Sequence, residues 1–257
     1  MKIVILAGGL GTRLAEETEI KPKPMVEIGG KPLVWHIMRH YEHYGFKEFI
    51  IALGYKGEIM KRFFLDYSSL SGNITIDLSR GRIETQDIEC EDWLVHLKNT
   101  GERTNTGGRI KRLRQDLNDA PFMVTYGDGV CDVNLRDLVE FHRAHGRIGT
   151  LTAVRPPSRF GGLIFDRQGI LVDFTEKPQI GEGWINGGFM VFEPEIFDYL
   201  KDDDSSLEAD ALEALAVDHQ LAAYRHEGFW QCMDTLRDKR LLENLWHEQR
   251  APWKVWE

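Results

Sequence analysis

Apolar runs alternate with glycine-rich and polar segments along the first part of the chain. Lys2–Ala7 and Glu48–Leu53 are short runs rich in β-branched residues, which is typical of strands buried on both faces. Lys31–Tyr44 has a proline in its first turn and Gly45 after it, which predicts a helix, and Gly57–Tyr67 predicts another. This order of strand, helix, strand and helix predicts a parallel sheet with helical crossovers.

The pattern then changes to mixed elements. Between Asn73 and Lys98, two runs predict antiparallel or edge strands. Ile74, Ile76 and Leu78 alternate with polar residues, and Trp93, Val95 and Leu97 recur at every second position, although Leu94 interrupts the polar side. Thr106–Leu117 carries its apolar residues on one helical face. The remaining predicted elements are the strands Pro121–Thr125, Gly149–Val154, Gly187–Phe192, Ala222–Tyr224 and Phe229–Cys232, the hairpin Gly162–Phe165 with Ile170–Phe174, and the helices Asn134–His145, Glu195–Leu200, Leu207–Val217 and Leu236–His247.

These elements predict an α/β fold with a Rossmann-like, mostly parallel sheet, flanked by helices and carrying inserted antiparallel β elements. No repeat, low-complexity tract or flexible linker interrupts the order. We therefore expect one domain over residues 1–257.

Composition narrows the classes of function. The 257 residues include 41 acidic and 32 basic ones, and a net charge of −9 argues against binding a nucleic acid polymer. No run of 18 apolar residues predicts a membrane span, and Met1–Ala7 leads into glycines instead of a signal-peptide cleavage site. The three cysteines, an odd number and widely spaced, argue against a disulfide framework and fit the cytoplasm.

A glycine loop, Gly8–Leu14, follows the first predicted strand. Such a loop lets backbone N–H groups approach a phosphate closely. It does not match a Walker loop, because Gly11 is followed by Thr12 and Arg13, and Leu14 replaces the third glycine of a dinucleotide fingerprint. A plain tight turn is the alternative interpretation.

The segment Lys21–Met25 has the sequence Lys-Pro-Lys-Pro-Met. Because proline fixes its own φ and restricts the preceding residue, we expect an extended segment that aims Lys23 at a fixed anion. A solvated basic loop is the alternative interpretation.

Two aspartates are candidate metal ligands. Asp128 follows a predicted core strand between two glycines, and Asp234 lies at a predicted strand-to-helix junction. Alternatively, Asp128 is a turn residue and Asp234 caps the following helix, with Thr235 as a rival cap. Magnesium often takes one or two carboxylates together with substrate phosphates.

Over nearly its whole length the chain resembles the sugar-nucleotide pyrophosphorylases, the nucleotidyltransferases that act on sugar 1-phosphates. It is most similar to members that transfer a cytidylyl group to glucose 1-phosphate. The motifs that carry the resemblance are Leu6–Leu14, Lys21–Pro32, Thr106–Arg109, Thr125–Val130, Arg159–Leu163, Glu176–Pro178, Ile185–Phe189 and Gly228–Lys239.

The resemblance implies a fold, a reaction and a division of the chain. The fold would be of the GT-A-like nucleotidyltransferase type. The phosphate of glucose 1-phosphate would attack the α-phosphorus of CTP, releasing pyrophosphate and CDP-glucose. Residues of about 1–130 would bind the nucleotide, about 131–240 would bind the sugar and complete a Mg²⁺ site, and the tail 241–257 would lie at a subunit interface.

The resemblance also implies roles for individual residues. Arg13 and Lys23 would be catalytic, with Arg13 on the leaving pyrophosphate and Lys23 near the α-phosphate and the sugar phosphate. Asp128 and Asp234 would hold Mg²⁺. The implied nucleotide-binding residues are Leu6, Ala7, Gly8, Gly9, Gly11, Thr12, Arg13, Lys23, Thr106, Gly107, Arg109, Gly127 and Asp128, with Arg109 a candidate contact to cytosine. The implied sugar-binding residues are Tyr126, Glu176, Lys177, Asn186, Gly187 and Trp230.

Several alternatives stay open at this point. The donor could be dTTP or UTP, with the region Thr106–Arg109 as the discriminating feature, or the chain could be a regulatory protein without turnover. Asn186–Gly188 could form a β-bulge, and Tyr126 and Trp230 could fill the core. Helix residues His36, His40 and His43 are expected to form a solvated or packed face. Trp246, Trp253 and Trp256 would mark an interface or dock on the same subunit; by resemblance we expect a homo-oligomer, a hexamer.

Overall fold

The computed structural model describes residues 1–9, 14–87, 89–156, 162–165, 168, 171–175 and 183–257. Within these ranges, no helix combines the length and apolar character needed to cross a membrane.

Fifteen strands are present among the described residues. In chain order they are β1 Ile3–Ala7, β2 Glu27–Ile28, β3 Lys31–Pro32, β4 Glu48–Leu53, β5 Asn73–Asp77, β6 Arg82–Gln86, β7 Leu94–Asn99, β8 Phe122–Tyr126, β9 Gly129–Cys131, β10 Gly149–Val154, β11 Gly162–Phe165, β12 Leu171–Thr175, β13 Ile185–Phe192, β14 Leu221–His226 and β15 Trp230–Cys232.

The helices lie between these strands. They are α1 Ala15–Thr18, α2 Leu33–His43, α3 Gly57–Leu70, α4 Thr106–Arg112, α5 Arg114–Leu117, α6 Leu135–His145, α7 Glu213–Val217 and α8 Leu236–His247, with 3₁₀ turns at Lys23–Met25 and Pro194–Tyr199 and a π-helical turn at Leu207–Leu212.

The central sheet confirms the predicted fold class. Its seven strands run in the order β14-β10-β13-β8-β1-β4-β7. All neighbours are parallel except β13, which is antiparallel to both β8 and β10. The hairpins β5–β6 and β11–β12 are the inserted antiparallel elements. Because strands from both halves of the chain share this sheet, the first and second halves are packed into one framework.

Some predicted bounds are wrong for local reasons. The helix predicted from Lys31 begins at Leu33, because Lys31–Pro32 pairs with Glu27–Ile28 as a short antiparallel ladder. The predicted helix Thr106–Leu117 is interrupted at Leu113, whose backbone leaves the helical region. The predicted helix Glu195–Leu200 is a 3₁₀ helix over Pro194–Tyr199, and Leu207–Val217 begins with a π-helical turn.

Hydrophobic cores cover both faces of the sheet. Along β1, Ile3 and Ile5 belong to the core that contains α2, whereas Val4 and Leu6 belong to the core that contains α4. This alternation explains why β1 is apolar at every position: a central parallel strand has no solvent-facing side.

Two of the three histidines of α2, His36 and His40, are packed, whereas His43 is exposed. His36 and His40 are buried, and their Nε2 atoms lie 2.9 Å and 3.0 Å from the carbonyl oxygens of Ile28 and Val133. Burial lowers the pKa of each imidazole to about 4, so both rings are neutral at neutral pH.

The C-terminal tryptophans dock on their own chain. Trp253 is fully buried, and its ring stacks on Phe229 with the ring centroids 5.6 Å apart. Trp246 meets the edge of His36, and Trp256 packs against Trp35. The idea that exposed tryptophans mark an interface is therefore wrong for Trp253 and Trp256, because the core on the α2 face covers their rings.

Candidate active site

A cavity of about 360 Å³ opens at the carboxyl ends of β1 and β8. These strands are adjacent and parallel, so their carboxyl ends meet at one edge of the sheet, where open α/β sheets bind ligands. The described residues that line the cavity are Leu6, Ala7, Gly8, Gly9, Lys23, Pro24, Thr104, Asn105, Thr106, Arg109, Tyr126, Gly127, Asp128 and Asp234.

Lys23 is held in the cavity wall by a short turn. The predicted extended conformation is wrong for residues 23–25, which form a 3₁₀ turn closed by a 2.8 Å hydrogen bond from the Met25 N–H to the Pro22 carbonyl. Proline accounts for the difference, because its fixed φ suits the start of a helical turn as well as an extended chain. The stiffness inferred from the two prolines still holds, since Pro24 is buried behind the lysine.

Asp128 and Asp234 lie side by side because two short strands pair. β9 begins directly after Asp128, β15 ends two residues before Asp234, and the two strands are antiparallel. The Met233 N–H donates to the Asp128 carbonyl at 2.8 Å, which ties the two turns together. The carboxylates are thus placed by backbone hydrogen bonds from distant parts of the chain.

The alternative role of Asp234 as a helix cap is wrong. Thr235 caps α8, and its side chain accepts from the Asp238 N–H while Asp238 accepts from the Thr235 N–H. This reciprocal capping box serves the helix start without the Asp234 carboxylate.

The Lys23 ammonium bridges the two carboxylates. Its Nζ donates to Asp128 Oδ2 at 3.0 Å and also to Asp234 Oδ1. The lysine side chain is 12% exposed and that of Asp234 15%, whereas Asp128 is 39% exposed. Burial alone would lower the pKa of Lys23, but the two carboxylates outweigh burial and raise it, so the ammonium is charged at neutral pH.

This donor set fits a divalent cation of the magnesium type. Two carboxylates at the mouth of a cavity can bind one hard cation, and Mg²⁺ commonly takes one or two carboxylates plus phosphates and waters.

Thr106 and Tyr126 are linked by a glutamate that the sequence did not single out. The Thr106 hydroxyl donates to Glu208 Oε2 at 2.7 Å, and the Tyr126 hydroxyl donates to Glu208 Oε1. Burial opposes ionisation of Glu208, but these hydrogen bonds outweigh it and lower its pKa. Glu208 lies among seven acidic residues between Asp202 and Asp218, and no local pattern separates it from the others.

Arg109 lines the cavity, but its guanidinium is engaged with the protein itself. Nη1 donates to the carbonyls of Leu53 and Gly101 and to the Thr100 hydroxyl, and Nη2 donates to the carbonyls of Gly8 and Glu102. The predicted contact with cytosine stays a prediction. In the structure, Arg109 ties the glycine loop to the end of β4.

Gly107 does not line the cavity. A Cβ built on it would lie 2.8 Å from Leu200 Cδ2 and 2.8 Å from the Ser205 carbonyl. Glycine is needed at this position because α4 packs closely against residues 200–207. This packing accounts for the glycine without a contact to the nucleotide.

The predicted sugar-binding residues divide into two groups. Tyr126 lines the cavity, and the Asn186 amide donates to its hydroxyl at 3.4 Å. Gly187 and Trp230 lie behind it, joined by a 2.8 Å hydrogen bond from the indole to the Gly187 carbonyl. The register shift between β10 and β13 confirms the bulge expected around Asn186–Gly188. Gly11, Thr12, Arg13, Glu176 and Lys177 lie outside the described residues.

A larger cavity, of about 1020 Å³, lies between α2, α3 and residues 89–92. Size alone would favour it as the site. Three of its charged residues pair with one another, since Arg39 lies 2.8 Å from Glu42 and 3.8 Å from Glu91. The smaller cavity is the better candidate because its charged groups converge at the strand ends.

Comparison with known proteins agrees with this geometry. The family profile described as Nucleotidyl transferase matches residues 2–238. The chain belongs to the nucleotidyl transferase family. This nucleotidyl transferase is 49% identical over 258 residues to the glucose-1-phosphate cytidylyltransferase of Salmonella typhimurium, with 100% of both chains covered. It is 43% identical over 257 residues to a probable glucose-1-phosphate cytidylyltransferase of Bacillus subtilis, again with full coverage of both.

Solved structures confirm the fold of this nucleotidyl transferase. A putative glucose-1-phosphate thymidylyltransferase from Bacillus anthracis, in complex with sucrose, superimposes with a TM-score of 0.70 at 17% identity. The match covers 100% of this chain and 97% of the other. The GT-A-like nucleotidyltransferase fold expected from the resemblance is therefore confirmed.

The hydrogen bonds of Arg109 predict a loss of stability in Arg109→Ala. We expect the free energy of unfolding to fall by about 1.5–3 kcal/mol, because buried carbonyls lose charged donors. Urea unfolding measures this, and Arg103→Ala, at a nearby exposed position, should change it by less than about 0.5 kcal/mol. An Arg109→Ala variant of unchanged stability that no longer binds nucleotide would instead indicate a direct contact with the base.

Proposed function

We propose that this protein transfers a cytidylyl group from CTP to α-D-glucose 1-phosphate, giving CDP-glucose and pyrophosphate. The observation that carries the proposal is the convergence of Lys23, Asp128 and Asp234 at the mouth of the strand-end cavity. The choice of CTP and glucose 1-phosphate is supported by the names of the full-length relatives at 49% and 43% identity.

The reaction needs little acid–base chemistry from the protein. The attacking oxygen of glucose 1-phosphate is already an anion, so no general base has to remove a proton from it. Positioning and charge neutralisation are the contributions that remain. Lys23 suits this task because its ammonium lines the cavity and its backbone is held between two prolines.

The residues Asp128 and Asp234 would hold the metal, which we propose to be Mg²⁺. A bound Mg²⁺ supplies electrostatic stabilisation of the phosphates as charge builds on them. The protein's part is to keep both carboxylates at one end of the cavity, which the β9–β15 pairing does. Both side chains are more accessible than Lys23, as ligands of an exchangeable ion must be.

We assign the base to the side of the cavity formed by Thr104–Arg109 and Gly8. The Thr106 hydroxyl, held by Glu208, borders this side. Glucose 1-phosphate is assigned to the side near Tyr126 and Asn186, and Gly127, directly after β8, also lines the cavity. Arg13 on the pyrophosphate and Glu176 and Lys177 on the sugar complete the proposal from the sequence resemblance.

The choice of donor nucleotide is tested by supplying each triphosphate separately. With Mg²⁺ and glucose 1-phosphate present, we expect pyrophosphate release to be fastest with CTP and slower with UTP, dTTP, ATP and GTP, because the full-length relatives at 49% and 43% identity are named as cytidylyltransferases. A coupled pyrophosphate assay measures this. Preference for dTTP or UTP would overturn the choice of CTP, and no release with any triphosphate would favour a regulatory protein.

The proposed role of Lys23 predicts a large loss of rate in Lys23→Ala. We expect kcat to fall by about 10²–10³-fold, because removal of one preorganised donor to a charged transition state typically costs that much. Lys21→Ala is the matched control. The Lys21 ammonium pairs with Glu27 at 3.1 Å, so its removal should leave kcat unchanged. Near wild-type turnover of Lys23→Ala would contradict the assignment.

We also propose a homo-oligomer in the cytoplasm, a hexamer by family resemblance. The hairpin β5–β6 supports self-association, because it carries Ile74, Ile76 and Ile83 with 38%, 56% and 67% of their surface exposed. The three free thiols are in keeping with a reducing compartment. Light scattering of the purified protein should give a multiple of the chain mass, and Ile76→Lys should reduce it. A monomer would contradict the proposed oligomer. Recovery of the protein from a secreted fraction would contradict the proposed cytoplasmic location.

A further inference from the structure

The Lys23 ammonium lies between the two carboxylates that are assigned to the metal. It donates hydrogen bonds to one oxygen of Asp128 and one oxygen of Asp234, and its side chain is 12% exposed. The oxygens it contacts belong to the two carboxylates assigned above to the divalent cation. We propose that Lys23 is a placeholder for that cation, so that the metal binds weakly alone and tightly together with the nucleotide. The inference rests on the proposed function, which assigns the carboxylates to the metal.

The two carboxylates cannot relieve their repulsion by moving apart. Their backbones are joined by the Met233–Asp128 hydrogen bond and by the β9–β15 ladder. Like charges held this close favour a compensating cation. Among the described residues, the Lys23 ammonium supplies such a cation to both carboxylates.

A divalent cation that enters alone must compete with the ammonium. It would take oxygens that already accept from Lys23, and it would leave a mostly buried ammonium beside a dication. Mg²⁺ gives up its waters reluctantly and gains little from two carboxylates that are already paired. Binding of the metal alone is therefore opposed by the lysine.

A triphosphate removes this opposition. Its oxygens accept strongly from an ammonium, and Lys23 lines the same cavity as the glycine loop. The Lys23 backbone is fixed by the 3₁₀ turn, so the transfer from carboxylates to phosphate needs only rotation of the side chain. Metal and nucleotide then bind with positive coupling, each raising the affinity of the other.

The test measures Mn²⁺ binding without nucleotide, by calorimetry and by the electron paramagnetic resonance signal of free Mn²⁺. Lys23→Ala should bind Mn²⁺ about 5- to 150-fold more tightly than the wild type, the range typical of coupled sites. Lys23→Met, which keeps the apolar stem, should do the same and guards against a local collapse in the alanine variant. Lys21→Ala should bind as the wild type does.

Asp234→Asn separates the two ways of failing. If Asp234→Asn abolishes Mn²⁺ binding but neither Lys23 variant binds more tightly than the wild type, the placeholder role is overturned and the metal site stands. If Asp234→Asn leaves Mn²⁺ binding unchanged, the metal assignment of the proposed function fails first. Tighter Mn²⁺ binding by both Lys23 variants, combined with their low turnover, would support the inference, since loss of a merely structural lysine would not strengthen metal binding.

Discussion

The candidate site depends on the pairing of two strands of three residues each. β9 begins just after Asp128, and β15, which lies about 100 residues later in the chain, pairs with it. Their ladder holds two carboxylates close together despite their mutual repulsion, and the Lys23 ammonium offsets that repulsion. The positions of the two carboxylates in the cavity therefore follow from backbone hydrogen bonds between distant parts of the chain.

Space is the second constraint at the site. A Cβ on Gly8 would lie 2.1 Å from the Arg109 guanidinium, and a Cβ on Gly127 would lie 2.8 Å from Pro24. These glycines therefore serve the protein's own packing as well as any approach of a phosphate. Glycine at these two positions therefore has two explanations, close packing and the approach of a phosphate. The structure shows the close packing directly.

Much of the fold could be predicted from local pattern. Glu48–Leu53 and Leu236–His247 have the predicted bounds because their periodicity and caps are local signals. Most residues that line the cavity followed from a strand-end rule together with a family resemblance, but Pro24, Thr104 and Asn105 were missed. The role of Glu208 and the engagement of Arg109 could not be predicted, because each depends on partners from distant segments. The Lys23 turn was missed because proline is compatible with two conformations.

The tail has a consequence for the order in which the core closes. Trp253 and Trp256 fill the core over α2, against residues from the first forty of the chain. A folding intermediate in which this tail has not docked would leave Trp35 and His36 without the rings that cover them. Apolar surface exposed in this way is what makes folding intermediates prone to aggregate.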